Sequence, residues 1–280
     1  MSFAADLVSA LERATAGQPV PRVRALHLPP PEAAASKNGE FCALELDDGA
    51  LGISYVLLGD TLAQLASGHG AQQLAGMDAL TLARAFAAPP GAGAEAGIQR
   101  TLGFAAANAL SRTVMERMGF APPRAGDSIG GIDPQPGDHL GMVGLFSPLL
   151  KQVTAAGARL TVVELNPEYV GHYDAYRVTL DAAALEDCNK VLSTSTILLN
   201  HTVDDLLAHC RRADRIVLIG PSAGCLPDPL FMRGVTVVGG SWITDRQGFI
   251  DALRRGESWS AFAYKFALTA GDWPGLPSGR

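Results

Sequence analysis

Five short apolar runs in the second half of this chain each break off into small, polar or Gly/Pro residues. Gly141-Met-Val-Gly-Leu-Phe146 runs into Ser147-Pro148, and Leu160-Thr-Val-Val163 into Glu164-Leu-Asn-Pro167. Val191-Leu192 leads to Ser193-Thr-Ser-Thr196 and then Asn200-His-Thr202. Arg215-Ile-Val-Leu-Ile219 leads to Gly220-Pro-Ser-Ala-Gly-Cys225, and Val235-Thr-Val-Val238 to Gly239-Gly-Ser-Trp242. Helical patterns separate most of these runs. Parallel strands joined by helical crossovers produce this punctuation, and they bind ligands beyond their carboxyl ends.

The rest of the composition narrows the function classes. A chain of 280 residues has room for one large domain or two modest ones. A formal net charge of −6 argues against nucleic acid, which asks for a basic face. Met1 to Gly17 carries Asp6, Glu12 and Arg13 among apolar residues at helical spacing, which reads as a helix and not as a secretory signal. No uncharged apolar stretch reaches the roughly 18 residues of a membrane span, so a cytoplasmic protein is expected. Cys42, Cys188, Cys210 and Cys225 form no C-x-x-C pair, which disfavours a disulfide framework or a closed structural zinc site.

The first half has a different organisation. Residues 3–16 read as an amphipathic helix ended by Gly17 and Pro19, and Val20 to Leu28 as extended chain. Phe41-Cys-Ala-Leu-Glu-Leu46 and Leu51-Gly-Ile-Ser-Tyr-Val-Leu57 flank Asp47-Asp-Gly49, the pattern of a β-hairpin. Helical patterns follow near 61–67, 78–87 and 98–118, giving an α+β arrangement. Residues 121–138 hold four prolines and break both periodicities, so a linker is expected there. The boundary falls at 125: an α+β domain over 1–125 and a parallel-sheet domain over 126–280. The Gly/Pro-rich tail from Thr269 is expected at the surface or frayed.

Several constellations at the predicted strand ends carry chemistry. Gly141-x-x-Gly144 is not the dinucleotide fingerprint, yet Ser147 suits a helix N-cap and Pro148 the first turn, so free N–H groups should face a ligand. Glu164 stands where nucleotide-binding domains hold ribose hydroxyls, and it could equally ligate a metal. Asn166 follows in the same loop. Gly220-Pro221-Ser222-Ala223-Gly224 matches G-x-S-x-G, but Leu226-Pro-Asp-Pro229 soon interrupts any helix and no histidine follows His209, against a hydrolase elbow. A backbone nest for an anion, or a plain tight turn, reads better. Ser195, Thr196 and Asn200 give one loop many hydroxyl and amide groups, and Thr202 with Asp205 resembles a capping box. Ser241 ends the last run. The metal-ligand candidates are Glu164, His201, Cys225 and Asp228, with no compact spacing motif behind them.

Gly141-Met-Val-Gly-Leu-Phe-Ser-Pro-Leu-Leu150, Val163-Glu-Leu-Asn-Pro167, Ser195-Thr-Ile-Leu-Leu-Asn200, Gly220-Pro-Ser-Ala-Gly224, Leu226-Pro-Asp-Pro-Leu-Phe231 and Gly239-Gly-Ser241 resemble domain-of-unknown-function family 364, named for heavy-metal chelation. Phe41-Cys-Ala-Leu-Glu-Leu46, Gly52-Ile-Ser-Tyr55 and Leu102-Gly-Phe-Ala-Ala-Ala-Asn-Ala-Leu-Ser111 look like its companion domain, which is similar to the N-terminal domain of enolases. The resemblance implies a Rossmann-like domain, an enolase-N-terminal-like domain and a site between them. It does not extend to enolase chemistry, because the barrel carboxylates are missing.

The resulting expectation is a metal ion, or a small anionic metal-chelating molecule, bound in an interdomain cleft in metal homeostasis or metallocofactor metabolism. Asn108, in the small-residue helix, either faces that cleft or packs between helices. The implied cofactor is a transition metal. An enzyme using S-adenosylmethionine or a nucleotide and a non-catalytic ligand sensor are the alternatives. A homodimer is the assembly considered.

Overall fold

The computed structural model describes residues 2–68, 70, 74–89 and 94–276, with the side chains of 94 and 147–149 outside that description. The chain opens with helix α1 (Phe3–Thr15), whose N-cap Ser2 Oγ accepts the Ala5 N–H. Phe3, Leu7, Ala10 and Leu11 recur at helical spacing and are all buried. Strands β1 (Val23–His27), β2 (Phe41–Leu46) and β3 (Leu51–Tyr55) form an antiparallel sheet in the order β1-β2-β3. Helices α2 (Thr61–Ala66), α3 (Ala79–Ala87) and α4 (Ala94–Arg117) follow. A Cβ at Gly52 would overlap the backbone of Ala105 and Ala109, so β3 and α4 touch almost backbone to backbone. The run of alanines along α4 allows this approach.

The second half begins with β4 (His139–Val143), α5 (Ser147–Ala155), β5 (Arg159–Val163), β6 (Gly171–His172) and β7 (Tyr176–Thr179). It continues through β8 (Lys190–Thr194), α6 (Thr196–Leu199), α7 (Val203–Ala208), β9 (Arg215–Ile219) and α8 (Asp228–Phe231). Strand β10 (Val237–Ile243), α9 (Arg246–Arg254) and β11 (Ala263–Thr269) complete it. The eight strands lie in the order β11-β10-β9-β8-β4-β5-β7-β6, all pairings parallel except those of the edge strands β11 and β6. The chain leaves β4 towards β5 and later returns to β8 on its other side, so the topological switch lies between β4 and β8.

The central strands are apolar on both faces, as a covered parallel sheet requires. Leu140, Met142, Leu160, Val162, Leu192 and Val217 pack one face against Ile129, Ile132 and Val153. Val143, Val163, Val191 and Leu218 belong to a core continuous with α1, α3 and α4. Arg233 ties the halves further, bonding Asp6 and Asp204, each at 2.7 Å.

Five points differ from the sequence reading. The stretch 121–138 is packed rather than loose: Arg124 bridges to Phe266, the Ala125 N–H donates to Lys265 O, and Ile129 and Ile132 are buried. The short strands β6 and β7 and the antiparallel β11 were not anticipated. Helix α5 begins at Ser147 itself, with Phe146 at the N-cap, so Ser147 is not the cap. Thr202 makes no capping bond, because its hydroxyl donates to Asn200 Oδ1 at 2.7 Å. The tail is anchored as far as Trp273, whose indole donates to Asp228 at 3.0 Å.

Candidate functional site

At the carboxyl edge of the parallel sheet, small residues meet where β8, β9 and β10 end. Gly220, at φ +155°, lies so close to Ser195 that a Cβ would overlap its hydroxyl. Ser195 donates its own N–H to Ile219 O at 2.8 Å. Its Oγ lies 3.0 Å from Ser222 Oγ, and both serines are buried. The loops after β8 and β9 are therefore locked together by a hydroxyl pair, with glycine required at the contact.

Gly220 to Ala223 is a β-turn, with the Ala223 N–H on Gly220 O at 3.0 Å, while the Gly220 N–H donates to Gly239 O. Pro221 has no N–H, so only Ser222 and Gly224 can offer backbone donors from this turn. The nest is thus narrower than the sequence implied.

Asn108 of α4 reaches this turn. Its Nδ2 donates to Ile53 O at 2.7 Å and to Ser222 O at 2.9 Å. Strand β3 is an edge strand of its sheet. Hydrogen-bonded pairs at Glu40/Val56 and Leu46/Ala50 set a phase that turns the Ile53 carbonyl outward. Both Asn108 contacts are carbonyls, so the amide orientation is fixed by its neighbours. Its Oδ1 is then left buried with no partner among the described residues.

Asn108 lines a cavity of about 20 Å³ with Arg112, Pro221, Gly224, Ser241 and Trp242. That is room for one water-sized group. The Arg112 guanidinium lies 3.4 Å from the Trp242 ring centroid, and its Nε donates to Glu116 at 2.6 Å. This stacking holds a cation beside a cavity that is also lined by Asn108, the residue with the unmet acceptor. Arg112 and Trp242 were not singled out from sequence. Arg112 stands four residues after Asn108, one helical turn along the same face, and that spacing was the available signal.

The other candidates are differently occupied. Glu164 accepts N–H groups from Leu145 and Leu165, each at 2.8 Å, one on each oxygen. It fastens the Gly144 loop, which leaves its carboxylate less free for a ribose. Asn166 caps a short turn by accepting from the Glu168 N–H, and Asn200 Oδ1 accepts from Thr202. Thr196 Oγ1 lies 3.1 Å from Thr194 Oγ1, half-buried. The side chain of Ser147 lies outside the described residues.

The four metal candidates do not come together as a donor set. Burial pushes the Cys225 thiol up to about 12, so it is a poor thiolate ligand. Asp228 accepts from Trp273. His201 adopts φ +61°, its ring centroid 4.9 Å from that of Phe86, and its Nε2 is buried without a partner among the described residues. Burial first, then Arg100, lowers its pKa. Among the described residues no three His, Cys, Asp or Glu side chains gather as a metal site. These residues do not fit a directly coordinated metal ion.

A family model described as DUF364, "Putative heavy-metal chelation", matches residues 129–270. A DUF364 protein of unknown function from Pyrococcus horikoshii superposes with TM-score 0.69 at 16% identity, covering 96% of this chain and 100% of the other. One from Desulfitobacterium hafniense gives 0.67 at 17% identity, covering 95% and 98%. These likenesses support the fold alone. A mandelate racemase/muconate lactonizing enzyme from Polaromonas sp. JS666 reaches TM-score 0.34 at 16% identity, covering 78% and 79%, a likeness too slight to argue from. Among curated proteins none matches the chain.

Proposed function

This chain belongs to the DUF364 family, and on that premise we propose that it binds a small anionic chelating molecule at the carboxyl edge of the parallel sheet. In this reading the division into an N-terminal unit over 1–125 and a C-terminal unit over 126–280 puts Asn108 and Arg112 on the first unit and Ser222, Gly224 and Ser241 on the second. The observation that carries the reading is a buried, unpartnered Oδ1 on Asn108, a residue that lines one small cavity with Arg112. A buried acceptor without a donor costs roughly 1–3 kcal/mol, and one donor group of a ligand would remove that cost. In this reading Asn108 takes an N–H or O–H, Arg112 takes an oxyanion, and Ser241 with the Ser222 and Gly224 N–H groups orients the rest.

A metal, where one is carried, is held by the ligand's own donor atoms, since the protein side chains do not supply a set. The adenosine-cofactor reading is weaker, because the glycine fingerprint is missing and each Glu164 oxygen already accepts one backbone N–H. The protein is taken to be cytoplasmic, supported by four cysteines that are all free and buried.

Native mass spectrometry of gently purified protein tests the reading. A small-molecule adduct on the wild type that is lost from Arg112→Gln is expected. An adduct retained undiminished by Arg112→Gln would contradict it.

A further inference from the structure

A second cleft opens at the opposite, amino-terminal end of the same strands. It measures about 480 Å³ and is lined by residues that include His139, Arg159, Thr161, Tyr173, Tyr176 and Arg177. The volume lies in the range of small-molecule sites. Its charge is unusual for a protein of net −6. Two guanidinium groups face one space, and among the described residues neither Arg159 nor Arg177 has a carboxylate partner. Asp187 also lines the cleft, and it pairs with Arg212 at 3.5 Å.

What holds these arginines is neutral. Arg159 Nη2 lies 2.8 Å from His139 Nδ1. A guanidinium can only donate, so Nδ1 is the acceptor and the imidazole proton sits on Nε2. That tautomer donates to Thr161 Oγ1 at 2.9 Å. The 3.1 Å approach of Nδ1 to Asp187 O is then a contact and not a hydrogen bond. Burial first, then Arg159, keeps His139 below its ordinary pKa, consistent with a neutral ring. Arg177 Nε donates to the same Thr161 hydroxyl at 3.3 Å.

Both cations are thus positioned through one nitrogen by a buried Thr–His pair, with their other N–H groups available. Two unpaired like charges in one cleft repel, and a multivalent oxyanion relieves that repulsion. Beside them the Tyr173 and Tyr176 rings stack 4.7 Å apart at 12°. They form a flat wall on which the body of a ligand can rest.

We propose that this cleft, paired with none of the carboxyl-edge residues, is a second binding site for a small molecule bearing phosphate or clustered carboxylate groups. Isothermal calorimetry of the full chain at low salt, with pyrophosphate and with citrate as separate probes, tests it and tells the two headgroups apart. Saturable binding of at least one probe is expected, weakened on the order of tenfold by Arg159→Gln and by Arg177→Gln. Arg255→Gln, a distant exposed arginine, should leave it unchanged. Absence of saturable binding by both probes, or equal weakening by the control, would overturn the proposal. Hydrogen exchange of the wild type needs no substitution: pyrophosphate or citrate should protect the segments around 159–161 and 171–177. Protection confined to the Gly220–Gly224 turn would also refute it.

Discussion

Replacing Asn108 with alanine isolates the interaction on which the site depends. The amide donates to two buried carbonyls, Ile53 O at 2.7 Å and Ser222 O at 2.9 Å. Alanine leaves both without that donor, at roughly 1–3 kcal/mol each. Against this, the change removes the buried Oδ1 that already lacks a partner, returning about 1–3 kcal/mol. The void left by the amide adds a smaller cost. The sum is a net loss of about 2–3 kcal/mol. Urea denaturation followed by both fluorescence and circular dichroism measures it, and coincident transitions justify a two-state treatment. A loss within about 0.5 kcal/mol of zero would refute the reasoning, because the Ile53 and Ser222 carbonyls would then have other donors in solution.

Two further perturbations follow from the same geometry. Gly220→Ala meets both an unfavourable φ and the Ser195 hydroxyl, whereas Gly59→Ala meets a positive φ in open space. The first should therefore cost at least about 1 kcal/mol more than the second, and equal urea midpoints would show that the Gly220–Ser195 contact is not tight. His27, His139 and His201 all sit below the ordinary value of 6.5, burial being the first cause in each. Below that pH the unfolded chain binds more protons than the folded one, so stability falls with falling pH, by up to about 1.4 kcal/mol per unit per histidine. Unfolding at pH 7.5, 6.5 and 5.5 should show this slope, with His139→Gln flattening it; a level profile would contradict the buried neutral histidines.

The strands of the central sheet were legible because burial on both faces leaves uninterrupted apolar runs between turn residues. The edge strands were not. Tyr176-Arg-Val-Thr179 is short and half polar, and Ala263–Thr269 alternates as an edge strand with one wetter face. The stretch 121–138 misled because its prolines hide Ile129 and Ile132, which fill the underside of the sheet. The Gly220 turn and the Ser195 loop could be read from their small residues alone. Arg112 could not, because its role arises only when the fold brings its guanidinium over Trp242, 130 positions away in sequence. The paired arginines at the amino edge escaped for the same reason. Arg159 and Arg177 are 18 positions apart in sequence, and only the pairing of β5 with β7 brings Arg177 opposite Thr161.

The central claim is that any metal this protein carries is held through a small molecule. Elemental analysis of protein purified without chelators, paired with the native mass of the same sample, tests it most directly. The account predicts an organic adduct, with metal present only where that adduct is present. Stoichiometric metal on protein whose native mass shows no organic component would contradict it.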